Sequence, residues 1–173
     1  MIKRLLKYTL STAVMIFCVG FILPENNIMP VQGANQNDWN PQSFWYFPWG
    51  ESRVHKGIDI FAKEGTTVVS PTGGFVLFDG RITMGGNVVL ILGAKWRLHY
   101  FAHLKNTHTN KLGFIDAGEV IGKVGTTGNA KGKSPHLHYS IKTLYPQFWL
   151  YNLKTKMAWQ RLFYVKPDTF LAI

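Results

Sequence analysis

Three short segments of this sequence carry histidines at spacings that suit metal-assisted hydrolysis. The first is His55-Lys56-Gly57-Ile58-Asp59, in which an imidazole and a carboxylate lie four residues apart. The glycine and the apolar residues after it favour a turn that enters a strand, and a turn or a helix would let both side chains converge on one point. Imidazole and carboxylate are the ligands expected for zinc at a site without sulfur.

The second segment is His136-Leu137-His138. In a strand the side-chain period is two, so both imidazoles project from one face while Leu137 points into the core. Two histidines placed in this way can both ligate a metal, or one can ligate while the other handles protons. The residues alone leave both alternatives open.

The third segment runs from residue 98 to residue 104 and contains His99 and His103. Strict alternation predicts that His99, Phe101 and His103 share one face of a strand. His103 could then reach a site that is assembled from distant strands. We expect His99 and His108 to be ordinary core or surface histidines.

The single cysteine restricts the metal chemistry further. Cys18 lies in an apolar stretch near the N-terminus, and the remaining chain has no cysteine. The sequence therefore excludes a disulfide and a thiolate ligand, so that any metal must be held by nitrogen and oxygen.

Short apolar runs that alternate with glycine-bearing turns must position these histidines. Val, Ile, Thr and aromatic residues dominate the runs, as a pleated surface prefers. No apolar stripe at helical spacing occurs between residues 54 and 142. The sequence therefore predicts an all-β, mostly antiparallel domain. Its predicted strands are Ile58–Phe61, Thr67–Ser70, Gly74–Phe78, Asn87–Leu92, Trp96–Leu104, Glu119–Val124 and His136–Ile141.

The N-terminal part differs in composition from the rest of the chain. Lys3, Arg4 and Lys7 precede an apolar stretch over residues 8–23, a pattern typical of a secretory signal peptide or an uncleaved membrane anchor. The apolar stretch is shorter than the roughly 20 residues that are needed to span a bilayer. Cleavage of the segment as a signal peptide is therefore favoured over its retention as an anchor. We predict a signal or anchor over residues 1–33, a linker over 34–47, and a catalytic domain over 48–173 with an aromatic C-terminal extension from about 143.

The net charge of +10 indicates an anionic partner. For an exported protein, anionic cell-envelope polymers fit this charge, whereas export argues against nucleic acid. We therefore expect a location in the periplasm or cell envelope.

Taken together, the motifs resemble those of the lysostaphin/LytM-type zinc metallopeptidases of the bacterial cell wall. His-Lys-Gly-Ile-Asp at residues 55–59 is similar to the His-x-Gly-x-Asp motif of that family, and Pro-His-Leu-His at 135–138 to its Pro-His-Leu-His signature. Tyr-Phe-Ala-His-Leu at 100–104 is similar to its Tyr-x-His-Leu segment. The resemblance covers roughly residues 48–142, whereas the aromatic stretch from Thr143 to Arg161 is longer than the ending usual in the family.

The resemblance implies a fold, a cofactor and a reaction. The fold is a small antiparallel β-sheet domain with a groove, related to the duplicated hybrid motif. One Zn²⁺ would be held by His55, Asp59 and His138, while His136 and His103 would assist catalysis. The implied function is an endopeptidase that hydrolyses peptidoglycan stem peptides or cross-links with metal-activated water. Either a D-Ala cross-link or a glycine bridge could be the bond that is cut.

Two other functions compete with this interpretation. A LytM-like module without catalysis could bind the wall and regulate amidases, and retention of all five site positions argues against it. A histidine-pair phosphotransfer domain has a similar fold, but an export signal and Asp59 argue against a cytoplasmic relay.

Overall fold

The computed structural model describes residues 2–109 and 112–171. One long helix precedes a region of β-strands, and two single-turn helices lie near the C-terminus. The helices are α1 Ile2–Ile22, α2 Ala158–Arg161 and α3 Pro167–Phe170. The strands are β1 Ile58–Phe61, β2 Thr67–Val69, β3 Gly74–Ile82, β4 Gly86–Gly93, β5 Arg97–Leu104, β6 Asn106–Thr107, β7 Phe114–Ile115, β8 Val120–Lys123, β9 His136–Thr143 and β10 Tyr164–Val165.

The strands form two antiparallel sheets. The larger sheet has seven strands in the order β1-β9-β5-β4-β3-β7, with β10 also paired to β9, and the smaller has the order β2-β8-β6. The largest buried side chains come from both sheets, among them Phe101 of β5, Tyr139 of β9 and Ile121 of β8. The hydrophobic core thus lies behind one face of the larger sheet, and its other face is free to form a groove.

The all-β prediction is confirmed, and all seven predicted strands are present. Strand β9 continues two residues beyond its predicted end at Ile141, and β3 continues four residues beyond Phe78. The three strands that the sequence does not predict, β6, β7 and β10, have two residues each. A two-residue strand is too short to show an alternating pattern, so only its hydrogen-bonding partner reveals it. The single-turn helix α3 begins at Pro167, which suits the first position of a helix.

The segment between α1 and the sheets packs against the domain. Val31 is fully buried and forms a β-bridge with Val68. The Glu25 carboxylate forms ion pairs with Lys95 and Arg97, at 2.8 Å and 2.7 Å. The ion pairs of Glu25 therefore attach the start of this segment to the domain, and the buried side chain of Val31 attaches its later part.

Residues 34–47, predicted to be a linker, include side chains that pack against the domain. Trp39 is buried in the core cluster and Phe44 packs against it. A composition rich in Pro, Asn and Gln suggested a free segment, but a few apolar side chains are enough to anchor it. The division of the chain at residue 33 stays a prediction.

Helix α1 contacts the domain near the start of β5. The indole nitrogen of Trp96 donates a hydrogen bond to the Phe17 carbonyl at 2.9 Å, and the two rings are stacked. None of the helices in the described part of the chain combines the length and apolar composition that crossing a bilayer requires.

Candidate metal centre

Strands β1 and β9 bring the first and second histidine segments together. Their antiparallel register places Asp59 directly opposite His138. On β1, Asp59 lies between the buried Ile58 and Ile60 and therefore faces the other side of the sheet. Gly57 permits this pairing, because a Cβ there would lie 2.3 Å from the Tyr139 carbonyl oxygen. The glycine of the motif is thus required by the close approach of two backbones.

Three side chains from these segments converge on one point. His55 Nε2 lies 3.0 Å from Asp59 Oδ1 and 3.1 Å from His138 Nδ1. His138 Nδ1 lies 2.8 Å from the same carboxylate oxygen. One donor atom from each residue therefore falls within 4.8 Å of the other two. The structure thus assembles the three residues that the sequence motifs suggested as ligands.

The surroundings of His55 select its tautomer. Its Nδ1 donates a hydrogen bond to the Ser43 carbonyl at 3.1 Å. In a neutral imidazole this leaves the lone pair on Nε2, the atom that faces Asp59 and His138. The Trp49 ring stacks on the His55 ring with their centroids 4.1 Å apart, which restrains its orientation. Such support of a ligating imidazole is common at metal sites.

The surroundings of Asp59 favour its ionised carboxylate. Burial by itself would raise the pKa of Asp59, but the close contacts of its carboxylate with His138 and His55 outweigh burial and hold that pKa far below its usual value. Burial lowers the pKa of His138, against the opposing effect of Asp59. The site therefore presents Asp59 as an ionised carboxylate, the form that metal binding needs.

His103 reaches the same site by a route that the sequence does not predict. Strict alternation placed it on the face of His99 and Phe101, yet both of those are fully buried in the core. His103 has a positive φ of 63°, which rotates its side chain to the groove face beside Ala102. A left-handed backbone conformation is rare for histidine and cannot be inferred from a strand pattern. That predicted face for His103 is therefore wrong, although the residue does reach the groove.

His103 and His136 are held in the same way. The Nδ1 of His103 donates to the Thr127 carbonyl at 2.9 Å, and the Nδ1 of His136 donates to the Ser134 carbonyl at 2.8 Å. Their ring centroids are 5.0 Å apart. Burial, together with His138 and His136, lowers the pKa of His103 to about 4. The neutral ring of His103 therefore keeps a lone pair on Nε2 at pH 7.

A cavity of about 1000 Å³ surrounds these residues. It is lined by the three clustered side chains, by His103 and His136, and by residues to which the sequence motifs gave no role as ligand or catalyst. Those further residues include Trp49, Lys56, Tyr100, Ser140 and Lys142. Phe44 packs against the core cluster, whereas Trp49 lines the groove.

A usable sequence signal existed for two of these residues. Ser140 and Lys142 continue the two-residue period of His136 and His138 along β9. A strand taken to end at Ile141 misses Lys142, which lies one residue further on. Burial lowers the pKa of Lys56, and the positive charge of Lys142 lowers it further.

The donor set fits zinc. Nitrogen and oxygen ligands about 2.0–2.2 Å from a tetrahedral zinc ion would be about 3.3–3.6 Å apart. The observed separations of 2.8–3.1 Å are shorter by roughly half an ångström, so small outward shifts of the three side chains would admit the ion. Three protein ligands also leave one position for water, as a catalytic zinc site requires.

A comparison with known proteins agrees with this site. The model of "Peptidase family M23" matches residues 53–148. The chain belongs to this family. The match confirms the resemblance to lysostaphin/LytM-type peptidases and contains all five predicted site residues.

Two relatives of this M23 chain have reported activities in their names. It is 41% identical over 90 residues to the DD-carboxypeptidase/endopeptidase Mpg of Neisseria meningitidis. This alignment covers 52% of the chain and 20% of Mpg. It is 36% identical over 117 residues to the L-Ala–D-Glu endopeptidase of Bacillus subtilis. This alignment covers 61% of the chain and 35% of the relative. The chain thus spans about a fifth to a third of the length of these relatives.

A solved structure shows the same fold. The catalytic domain of the antimicrobial peptidase lysostaphin from Staphylococcus simulans matches with a TM-score of 0.60 and 22% identity. The match covers 76% of this chain and 90% of that domain. The M23 chain therefore has the antiparallel β fold of the lysostaphin catalytic domain.

Proposed function

We propose that this M23 protein is a zinc-dependent endopeptidase that hydrolyses peptide bonds in bacterial peptidoglycan. The observation that carries the proposal is the convergence of His55 Nε2, Asp59 Oδ1 and His138 Nδ1 within 4.8 Å at the base of a large groove. Membership of the family and relatives named as endopeptidases support the same activity.

In this proposal His55, Asp59 and His138 hold one Zn²⁺. When bound, zinc supplies a Lewis acid that polarises the scissile carbonyl and lowers the pKa of water toward neutrality. The Asp59 carboxylate contributes one negative charge to the ligand set. The hydrogen bond from His55 to Ser43 keeps that imidazole in the ligating tautomer.

His136 and His103, which lie beside the proposed ligand His138, would handle protons and the reacting carbonyl oxygen. His136 Nε2 is our choice for the group that takes the proton of the attacking water and passes it to the leaving amine. His103 would hydrogen-bond the tetrahedral intermediate. Because its Nδ1 hydrogen is already donated to Thr127, its Nε2 can donate only after it has taken up a proton. His136 also donates its Nδ1 hydrogen to a backbone carbonyl. Since the two rings are held alike, the roles of proton carrier and hydrogen-bond donor can be exchanged between them.

The cellular setting belongs to the same proposal. Residues 1–33 would serve as an export signal or membrane anchor, and residues 48–173 would form the peptidase domain with the aromatic extension from about 143. The net charge of +10 suits anionic cell-envelope polymers. The protein would act in the periplasm or cell envelope and would not bind nucleic acid.

The names of the two relatives refer to different peptide bonds. Both bonds are therefore candidates for this protein, together with glycine bridges. Mass spectrometry of the fragments released from sacculi with different cross-links would identify the bond.

The proposal is tested by comparing the wild-type protein with His138→Ala. We expect about one zinc per wild-type chain and release of peptides from purified sacculi, and the loss of both in the variant. Equal release by the two proteins would refute the site. Stoichiometric zinc in the wild type without peptide release would favour the alternative, a wall-binding module that regulates amidases.

A further inference from the structure

One end of the groove carries two lysines in addition to the metal cluster. On β9, Ser140 and Lys142 follow His138 at intervals of two residues and therefore project from the same face. Lys56 directly follows His55 in sequence. Lys56, Ser140 and Lys142 all line the cavity that contains the clustered ligands. The groove thus has a basic end about 13 Å from His138 along the strand, at about 3.3 Å per residue.

Neither lysine has a partner of opposite charge within residues 2–109 and 112–171. Three other lysines form ion pairs: Lys95 with Glu25, Lys105 with Glu64 and Lys166 with Asp168. Among the residues that the structure describes, no ion pair or hydrogen bond involves the ammonium group of Lys56 or of Lys142.

The acids that line the same cavity do not neutralise these lysines. Asp59 is engaged by two histidines. Glu51 lies on the exposed turn Gly50–Ser52 and forms no ion pair with any described residue. The positive charge of Lys142 acts on Lys56. Two like charges that face one groove repel each other until an anion lies between them.

We propose that Lys56 and Lys142, with the Ser140 hydroxyl, form a subsite for a substrate carboxylate. The inference rests on the proposed peptidase function and narrows it to anionic wall peptides. Ammonium groups form charge-assisted hydrogen bonds with carboxylates, which are stronger than neutral ones. An uncharged glycine bridge would leave both lysines unpaired.

The position of the subsite limits where the carboxylate can be. An extended peptide advances by about the same 3.3 Å per residue as the strand beside it. The anionic group therefore belongs within about four residues of the bond that is cut. Ser140 lies between His138 and Lys142 and adds a hydroxyl donor on this path.

The test uses the zinc-loaded full chain and two forms of one substrate. Cross-linked fragments are prepared from sacculi stripped of attached polymers, and half of the sample is amidated with carbodiimide and ammonia, which converts carboxylates into carboxamides. For the wild type we expect a KM roughly 10- to 100-fold lower for the native fragments. Lys142→Met should raise the KM for native fragments by a similar factor, with little change in kcat or in the KM for amidated fragments.

Two further variants control the experiment. Lys123→Met removes an exposed charge from β8 in the smaller sheet and should leave both KM values unchanged. Lys142→Arg keeps the charge and should retain most of the preference. Lys56→Met should behave as Lys142→Met does, with its zinc content measured first because Lys56 adjoins His55.

The outcomes separate the inference from the proposed function. Equal KM values of the wild type for native and amidated fragments would overturn the subsite and leave the peptidase intact. A KM increase in Lys123→Met as large as that in Lys142→Met would also overturn it, since net charge alone would then explain the preference. If the wild type hydrolysed no substrate at all, the proposed function itself would fail.

Discussion

Strand β5 carries two histidines that the fold uses in opposite ways. His99 is fully buried on the core face, where Nδ1 is hydrogen-bonded to the Tyr139 hydroxyl at 2.8 Å. His103 lies on the groove face, where its Nδ1 donates a hydrogen bond to the Thr127 carbonyl. Burial lowers the pKa of His99 to about 3 and that of His103 to about 4, so both are neutral at pH 7.

The difference between the two histidines lies in what their other nitrogen faces. His99 Nε2 is buried and has no hydrogen-bond partner among the described residues. His103 lines the cavity beside His136 and His138. A lowered histidine pKa therefore does not by itself mark a catalytic group. The feature that distinguishes His103 is its access to the cavity that it shares with His136 and His138. Four predictions test this distinction between the two faces of the sheet.

The largest expected effect is on turnover. His136→Ala and His103→Ala should each lower kcat roughly 10²- to 10⁴-fold, because each removes a group placed for proton transfer or for hydrogen bonding to the intermediate. Both variants should keep one zinc per chain, measured by atomic absorption beside peptide release from sacculi. Loss of zinc in either variant would instead make that histidine a ligand.

On the core face the expected effect is on stability. His99→Ala should lower the free energy of unfolding by about 2–4 kcal/mol, because it leaves the Tyr139 hydroxyl unpaired and removes the contact with the Phe170 ring. Urea unfolding measures the change. Zinc content and kcat should stay near the wild-type values, and a large loss of kcat in a folded variant would break the distinction between the two faces.

Zinc should raise the stability of the fold by binding to ligands on the groove face, independently of His99 on the core face. With free zinc at 100 times its Kd, we expect stabilisation of about 2.7 kcal/mol, seen as a higher Tm. The shift should persist in His99→Ala and disappear in Asp59→Asn, which removes the charged ligand. A shift of the same size in Asp59→Asn would place the zinc elsewhere.

The fourth expected effect is on the pH dependence of stability. The folded-state pKa of His99, about 3, lies below its ordinary value of 6.5, so the unfolded chain takes up the proton first as the pH falls. The contribution of His99 is complete above pH 6.5 and is lost progressively toward pH 3, by up to about 1.4 kcal/mol per pH unit. His99→Gln should therefore show a flatter stability curve than the wild type between pH 6 and pH 4. Parallel curves would contradict this account.

Local pattern was sufficient for much of the fold and for the chemical nature of the site. Alternating apolar residues and glycine turns predicted seven strands, because each strand is long enough to show its period. The spacing of His136 and His138 placed both on one face of β9. The absence of cysteine beyond residue 18 limited any metal site to nitrogen and oxygen donors.

Other features depend on contacts between residues far apart in the chain. The register of β1 and β9 sets Asp59 opposite His138, and a single positive φ turns His103 into the groove. Burial of Trp39 and Phe44 attaches a segment whose composition is that of a linker. Lys56 and Lys142 are distant in sequence and share one groove only after folding.

The sequence by itself determined which groups are available to bind a metal and which short strands carry them, since residue type and side-chain period are local properties. Only the tertiary structure decided which face His103 occupies, which segments pack together and which charges remain unpaired. Those outcomes depend on strand register, on one backbone dihedral angle and on burial, and each is a property of the whole folded chain.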